Sequence, residues 1–191
     1  MLGVFGPCGA IRLADEFTQV ENLLRSSGIE ADNLASAFMS VQTVANQTRS
    51  SLEGTGRLFA VLTRNSESLG ASQEQILQAT RAVQQSFALS GASVQEAVGA
   101  TRQLSQALAS GQLRGQELNS VLEQAPLIAQ AIARELDVDL GRLRELAMQG
   151  EVTSNVVFAA LLNNAQMFND AFNDTTTVSY THLTLPTTPY V

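Results

Sequence analysis

Lysine and tryptophan are absent from this sequence, cysteine and histidine occur once each, and aromatic residues make up only 5% of 191 residues. Each shortage excludes something. With Cys8 alone there is neither an internal disulfide nor a thiolate metal cluster, which fits synthesis in a reducing compartment. His182 is the sole imidazole and lies in a terminal stretch of foreign composition, so His-dependent catalysis has no basis in the rest of the chain. Few aromatics beside abundant Ala, Leu and Val suit helix-on-helix packing better than a β-sandwich. A net charge of −7 repels phosphate backbones and anionic lipid heads, so direct nucleic-acid binding is not expected. No run is apolar enough for a bilayer: the longest uncharged one, 152–169, carries Asn155, Asn163, Asn164, Gln166 and Asn169. Residues 1–10 lack a basic start and are broken by Pro7, which argues against a signal peptide and suggests a truncated upstream segment.

What is present is a hydrophobic content of 45%, enough for a core, arranged at steps of three and four residues. The first stripe is Leu13, Phe17, Val20 and Leu24, the second Leu34, Phe38, Val41 and Ala45, with Gly28 as the stop between them. A third runs from Leu52 through Thr55, Phe59, Leu62 and Ser66 to Leu69, and Ser50 with Glu53 has the spacing of a capping box at its start. Gly54 and Gly56 weaken the first turns of that helix by about 1 kcal/mol each relative to Ala.

A repeat at an offset of 21 residues follows: Gly70-Ala71-Ser72 returns as Gly91-Ala92-Ser93, and Ala79-Thr80-Arg81 as Ala100-Thr101-Arg102. Capping boxes are expected at Ser72 with Gln75 and at Ser93 with Glu96, and left-handed stops at Gly91 and Gly111. Ile76, Thr80, Val83 and Phe87 are expected inside from one copy, and Val94, Val98, Thr101, Leu104 and Leu108 from the other. The short glycine connection predicts an antiparallel hairpin. Downstream, Leu118, Val121, Leu122 and Ala125 continue in phase with Ile128, Ile132 and Leu136, and Pro126 predicts a kink or a fresh helix. Asp139 caps a helix that Gly150 closes, and Thr153 or Ser154 opens the last, with Val157, Leu161, Phe168 and Phe172 on its buried side. The fold expected is all-α: about seven short amphipathic helices in an antiparallel, hairpin-rich domain over residues 11–174.

After Asp174 the composition changes. Seven of the last seventeen residues are Thr, and both tyrosines and two of the four prolines fall there. The stretch 178–187, VSYTHLTLPT, resembles the translation of a transposase-type sequencing adapter, so residues 175–191 are expected to be an irregular, non-native tail, with the natural protein continuing differently beyond about Thr177. The competing reading is a real strand or linker.

Residues Gly111 to Pro126, GQLRGQELNSVLEQAP, resemble the signature stretch of the tape measure N-terminal domain family. The resemblance extends through Ala14-Asp15-Glu16-Phe17, Thr48-Arg49-Ser50-Ser51-Leu52-Glu53 and the repeat to Leu143-Arg144-Glu145-Leu146. It implies a virion protein of long-tailed phages that sets tail length and occupies the tail tube. Its implied partners are tail tube, tail tip and tail assembly chaperone proteins, with self-association also open. Its location would be the host cytoplasm during assembly and then the tail interior. The rival reading is a cytosolic helical adaptor or regulatory binding module.

Within the signature, Arg114, Glu117, Glu123 and Pro126 are candidates for partner docking, set against an ordinary solvated helix face and a plain helix break. No cofactor, metal or catalytic residue is expected. The acid pairs Glu117 with Glu123 and Asp137 with Asp139 lack an accompanying sugar-binding cluster. The glycine pairs Gly54 with Gly56 and Gly111 with Gly115 lack the Gly-Lys-Ser/Thr of a phosphate loop.

Overall fold

The computed structural model describes the backbone of residues 7–181 and the side chains of residues 15–175. Eleven helices follow one another: α1 Pro7–Arg25, α2 Ala31–Thr48, α3 Leu52–Arg64, α4 Ser66–Leu69, α5 Gln73–Leu89, α6 Val94–Ser110, α7 Gly115–Gln124, α8 Pro126–Glu135, α9 Leu140–Gln149, α10 Ser154–Asn163 and α11 Ala165–Thr181. Among the described residues there is no strand beyond one isolated bridge between Gln112 and Thr153.

The all-α expectation holds, but the count exceeds seven because three stripes that look continuous are broken. Two breaks use one device. Asn65 and Asn164 sit near φ −100° and ψ 10°, and each donates its side-chain Nδ2 to the carbonyl four residues back, Val61 O at 2.9 Å and Ala160 O at 2.8 Å. That bond keeps the Asn fixed where the helix would otherwise continue. The third break is Ala125, at φ −146° and ψ 65°, followed by Pro126 as the first residue of α8, where its missing N–H costs nothing.

Capping falls mostly where the spacing puts it. Both boxes of the repeat form, Ser72 with Gln75 and Ser93 with Glu96, and Asp139 and Thr153 cap α9 and α10. Gly28, Gly91, Gly111 and Gly150 take positive φ at their turns. The start of α3 is displaced by one residue from expectation. Ser51 is the cap and accepts from Gly54 N, while Ser50 Oγ lies 2.9 Å from both Thr48 Oγ1 and Thr55 Oγ1. With Gly at the third helical position there is no acid to complete a box.

The core draws on residues from Val20 to Phe168. Val20, Leu24, Val41, Phe59, Leu62, Val83, Phe87, Leu104, Leu118, Ile132, Leu161 and Phe168 are all essentially inaccessible. Phe17 and Phe38 meet between the first two stripes with ring centroids 5.4 Å apart and planes tilted by 41°. Gly56 is where α1 and α3 touch: a Cβ there would lie 2.8 Å from Val20 Cγ1. The glycine that weakens α3 in isolation is thus what lets it pack.

Two expectations fail within the repeat. α5 and α6 touch each other little: α6 packs mainly on α3, and α5 mainly on α11, with α2 and α3 also against it. Nearly identical caps fix where each helix starts but not which neighbour it meets. Val94, expected inside, is 53% exposed at the first position of α6, where it borders open space.

α11 continues to Thr181, so residues 175–181 of the tail expected to be irregular extend the last helix in backbone conformation. The rest of that tail, with His182, lies outside the described residues, as does the side chain of Cys8.

Candidate functional site

The signature stretch Gly111 to Pro126 forms the turn between α6, α7 and α8. Gly111 ends α6 with φ 85°. The connector is then clamped to the α9–α10 connector by Leu113 N to Val152 O at 2.8 Å and Ser154 N to Gly111 O at 3.0 Å, and Ser154 Oγ donates to Leu108 O at 3.0 Å. Leu113 is buried beneath this clamp. Gly115 starts α7 beside α9, where an added Cβ would sit 3.3 Å from Met148 Cγ, and Met148 itself is 72% exposed.

The four candidate residues are not gathered into one contact cluster. Arg114 is the exposed N-cap of α7 and makes no side-chain cap bond. Glu117 is half-buried, with Oε2 enclosed and lacking a hydrogen-bond partner. Glu123 is exposed six residues further on, a spacing that on a 3.6-residue helix puts the two acids on different sides. Pro126 is exposed at the start of α8. Of the other acid pair, Asp139 caps α9 by accepting from Arg142 N at 2.9 Å, and Asp137 takes a left-handed φ of 52° in the turn before it. The Asp139 carboxylate thus has structural work, and no described group of three or more His, Cys, Asp or Glu is placed to hold a metal ion.

A second feature escaped the sequence reading. Between the start of α3, the end of α5, the start of α6 and the later part of α11 is a cavity of about 300 Å³. Phe87, Val94, Val98 and Phe172 supply apolar wall, and Thr48, Arg49, Ser50 and Ser51 a polar end. Gln84 also lines it, 2% exposed, with Nε2 lacking any hydrogen-bond partner. Arg49 is exposed, holds a left-handed φ of 55°, and forms no ion pair among the described residues. Gln84 carried a usable signal, since it sits beside Val83 on a helix otherwise read as one-sided. Arg49 was visible only as part of the resemblance.

Among the described residues the chain is helical, with a glycine-bounded turn at this signature. The profile of the tape measure protein family matches residues 9–184, nearly the whole chain, and the chain belongs to that family. It is a phage tail family, structural and not enzymatic. No curated protein and no solved structure matches the chain. No described helix is long and apolar enough to cross a membrane.

Proposed function

We propose that this chain is a compact docking domain of a tape measure protein, working by protein–protein contacts during tail assembly and not itself the ruler. The observation that carries this reading is the length of its helices. The longest has 19 residues, which at about 1.5 Å per residue spans under about 30 Å. Length measurement needs an uninterrupted rod, and left-handed glycines, two asparagine breaks and Pro126 fold this chain back on itself instead.

The partners proposed are tail tube, tail tip and tail assembly chaperone proteins, met in the host cytoplasm before the domain is enclosed in the tail. Arg114, Glu117, Glu123 and Pro126 are proposed as part of the contact stretch. Exposed Met148 beside Gly115 and the unsatisfied Glu117 Oε2 support that placement. Small-angle scattering tests compactness: a radius of gyration of about 16 Å is expected for a globule of this length, and a rod-like profile overturns the reading. Pull-down of tube, tip and chaperone proteins from the same tail gene cluster tests the contacts. Arg114→Glu should weaken capture while leaving the melting temperature unchanged.

The stretch 178–187 is proposed to be adapter read-through on the strength of its composition. The family match reaches residue 184 and so overlaps its first part, which weighs the other way. Genomic reads spanning the junction in unadapted DNA overturn the proposal.

A further inference from the structure

The cavity beside α3, α5, α6 and α11 has an unusual balance of spare hydrogen-bonding capacity. Its hydroxyls are engaged with one another or with backbone: Thr48 Oγ1 donates to Val44 O at 2.8 Å, Ser50 Oγ lies between Thr48 and Thr55, and Ser51 Oγ accepts from Gly54 N. The acids at the two flanking helix starts are also committed, Glu53 to Arg57 at 3.0 Å and Glu96 to Ser93. Spare donor capacity includes the Gln84 amide N–H groups inside and the Arg49 guanidinium at the rim, beside the Ser51 hydroxyl. A buried amide without a partner is destabilising, and such groups in native proteins call for an explanation. Arg49, like most arginines among the described residues, forms no ion pair, which leaves its charge at the rim free to meet an anion.

We infer that this cavity is a binding site for the apolar C-terminal residue of a polypeptide. The side chain would lie against Phe87, Val94 and Val98. The chain terminus would present two acceptors, its carboxylate to Arg49 and its last peptide carbonyl to Gln84. A free alkyl carboxylate has its two acceptor oxygens at one point and no peptide carbonyl set back from them, and decanoate is the probe that separates it from a chain terminus. The volume is at the small end of ligand pockets and holds a large side chain. Val94, an exposed valine within the wall, becomes a contact residue under this reading. The site is built from different residues than the signature stretch and does not depend on its role.

The test is a titration of the full chain, followed by amide and methyl resonances, with three probes: N-acetyl-Leu-Phe as the free acid, the same dipeptide as its C-terminal amide, and decanoate. The free acid should shift the Gln84 side-chain amide and the Val94 and Val98 methyls, and the amide form should bind about ten-fold more weakly because it loses the charge-assisted bond. Arg49→Gly keeps a residue suited to the left-handed turn and removes the cation. It should melt no lower than the parent yet bind the acid about ten-fold more weakly. Gln84→Leu removes the unsatisfied amide and should likewise melt no lower while losing affinity. No shifts with the free acid at millimolar concentration overturn the inference. So does equal binding of acid and amide, or binding of decanoate without the dipeptide.

Discussion

α5 and α6 are near copies in design and unlike in fate. Both have 17 residues, a serine cap, a complete capping box and a glycine turn before them. Yet α5 is buried along every position from Ala82 to Phe87, polar residues included, whereas α6 leaves its first turn exposed and buries one side. α5 has α2, α3 and α11 around it, and also α8 and α10. Local chemistry sets where a helix begins. How many faces it covers depends on how many other helices converge on it.

The largest test of that contrast is truncation at each helix. Phe87→Ala should cost about 3–5 kcal/mol in denaturant unfolding, because Phe87 is 1% exposed in the middle of α5's packing. Val94→Ala in α6 should fall within about 0.5 kcal/mol of the parent, as surface substitutions do. Equal losses would mean α6's first turn is covered after all.

Glycine replacement separates packing from propensity next. Gly56→Ala meets Val20 Cγ1 at 2.8 Å and should destabilise by about 1–3 kcal/mol despite the gain in helix propensity. Gly99→Ala, in α6 with nothing within 4 Å, should stabilise by up to about 1 kcal/mol. Thermal melts of both variants check the opposite signs.

The caps differ in one respect that pH exposes. Ser72→Ala should cost α5 about 1 kcal/mol at any pH from 3 to 7, because its reciprocal partner, Gln75, does not titrate. In α6 the partner is Glu96, whose carboxyl is held below its ordinary 4.5 by accepting from the Ser93 side chain and backbone N–H. A depressed carboxyl pKa gives stability that is present above 4.5 and lost as pH falls through the folded value. The effect of Ser93→Ala should therefore shrink on acidification while that of Ser72→Ala stays constant. Amide exchange at the start of each helix, followed from pH 7 to 3, reads the difference.

This contrast also marks how much was legible. Caps, glycine turns, Pro126 and most buried stripes could be read because each depends on residues within one or two turns. The breaks at Asn65 and Asn164 were missed because an asparagine ends a helix only when its side chain turns back to the carbonyl four residues earlier. The antiparallel pairing of α5 and α6 failed because shared caps carry no information about packing partners. At the signature stretch, the turn was legible through Gly111 and Pro126. The separation of Glu117 from Glu123 follows from helix geometry alone and could have been drawn beforehand. The cavity could not, since its walls come from five helices spread between Thr48 and Thr175.

The two backbone hydrogen bonds that rivet the connector at Leu113 to the one at Ser154 have a mechanical consequence. Neither loop can lift away without breaking both bonds, so the α6–α7 and α9–α10 turns are coupled in opening. A pull on this end of the domain would be resisted by both bonds at once, giving a grip that yields abruptly under load instead of fraying turn by turn.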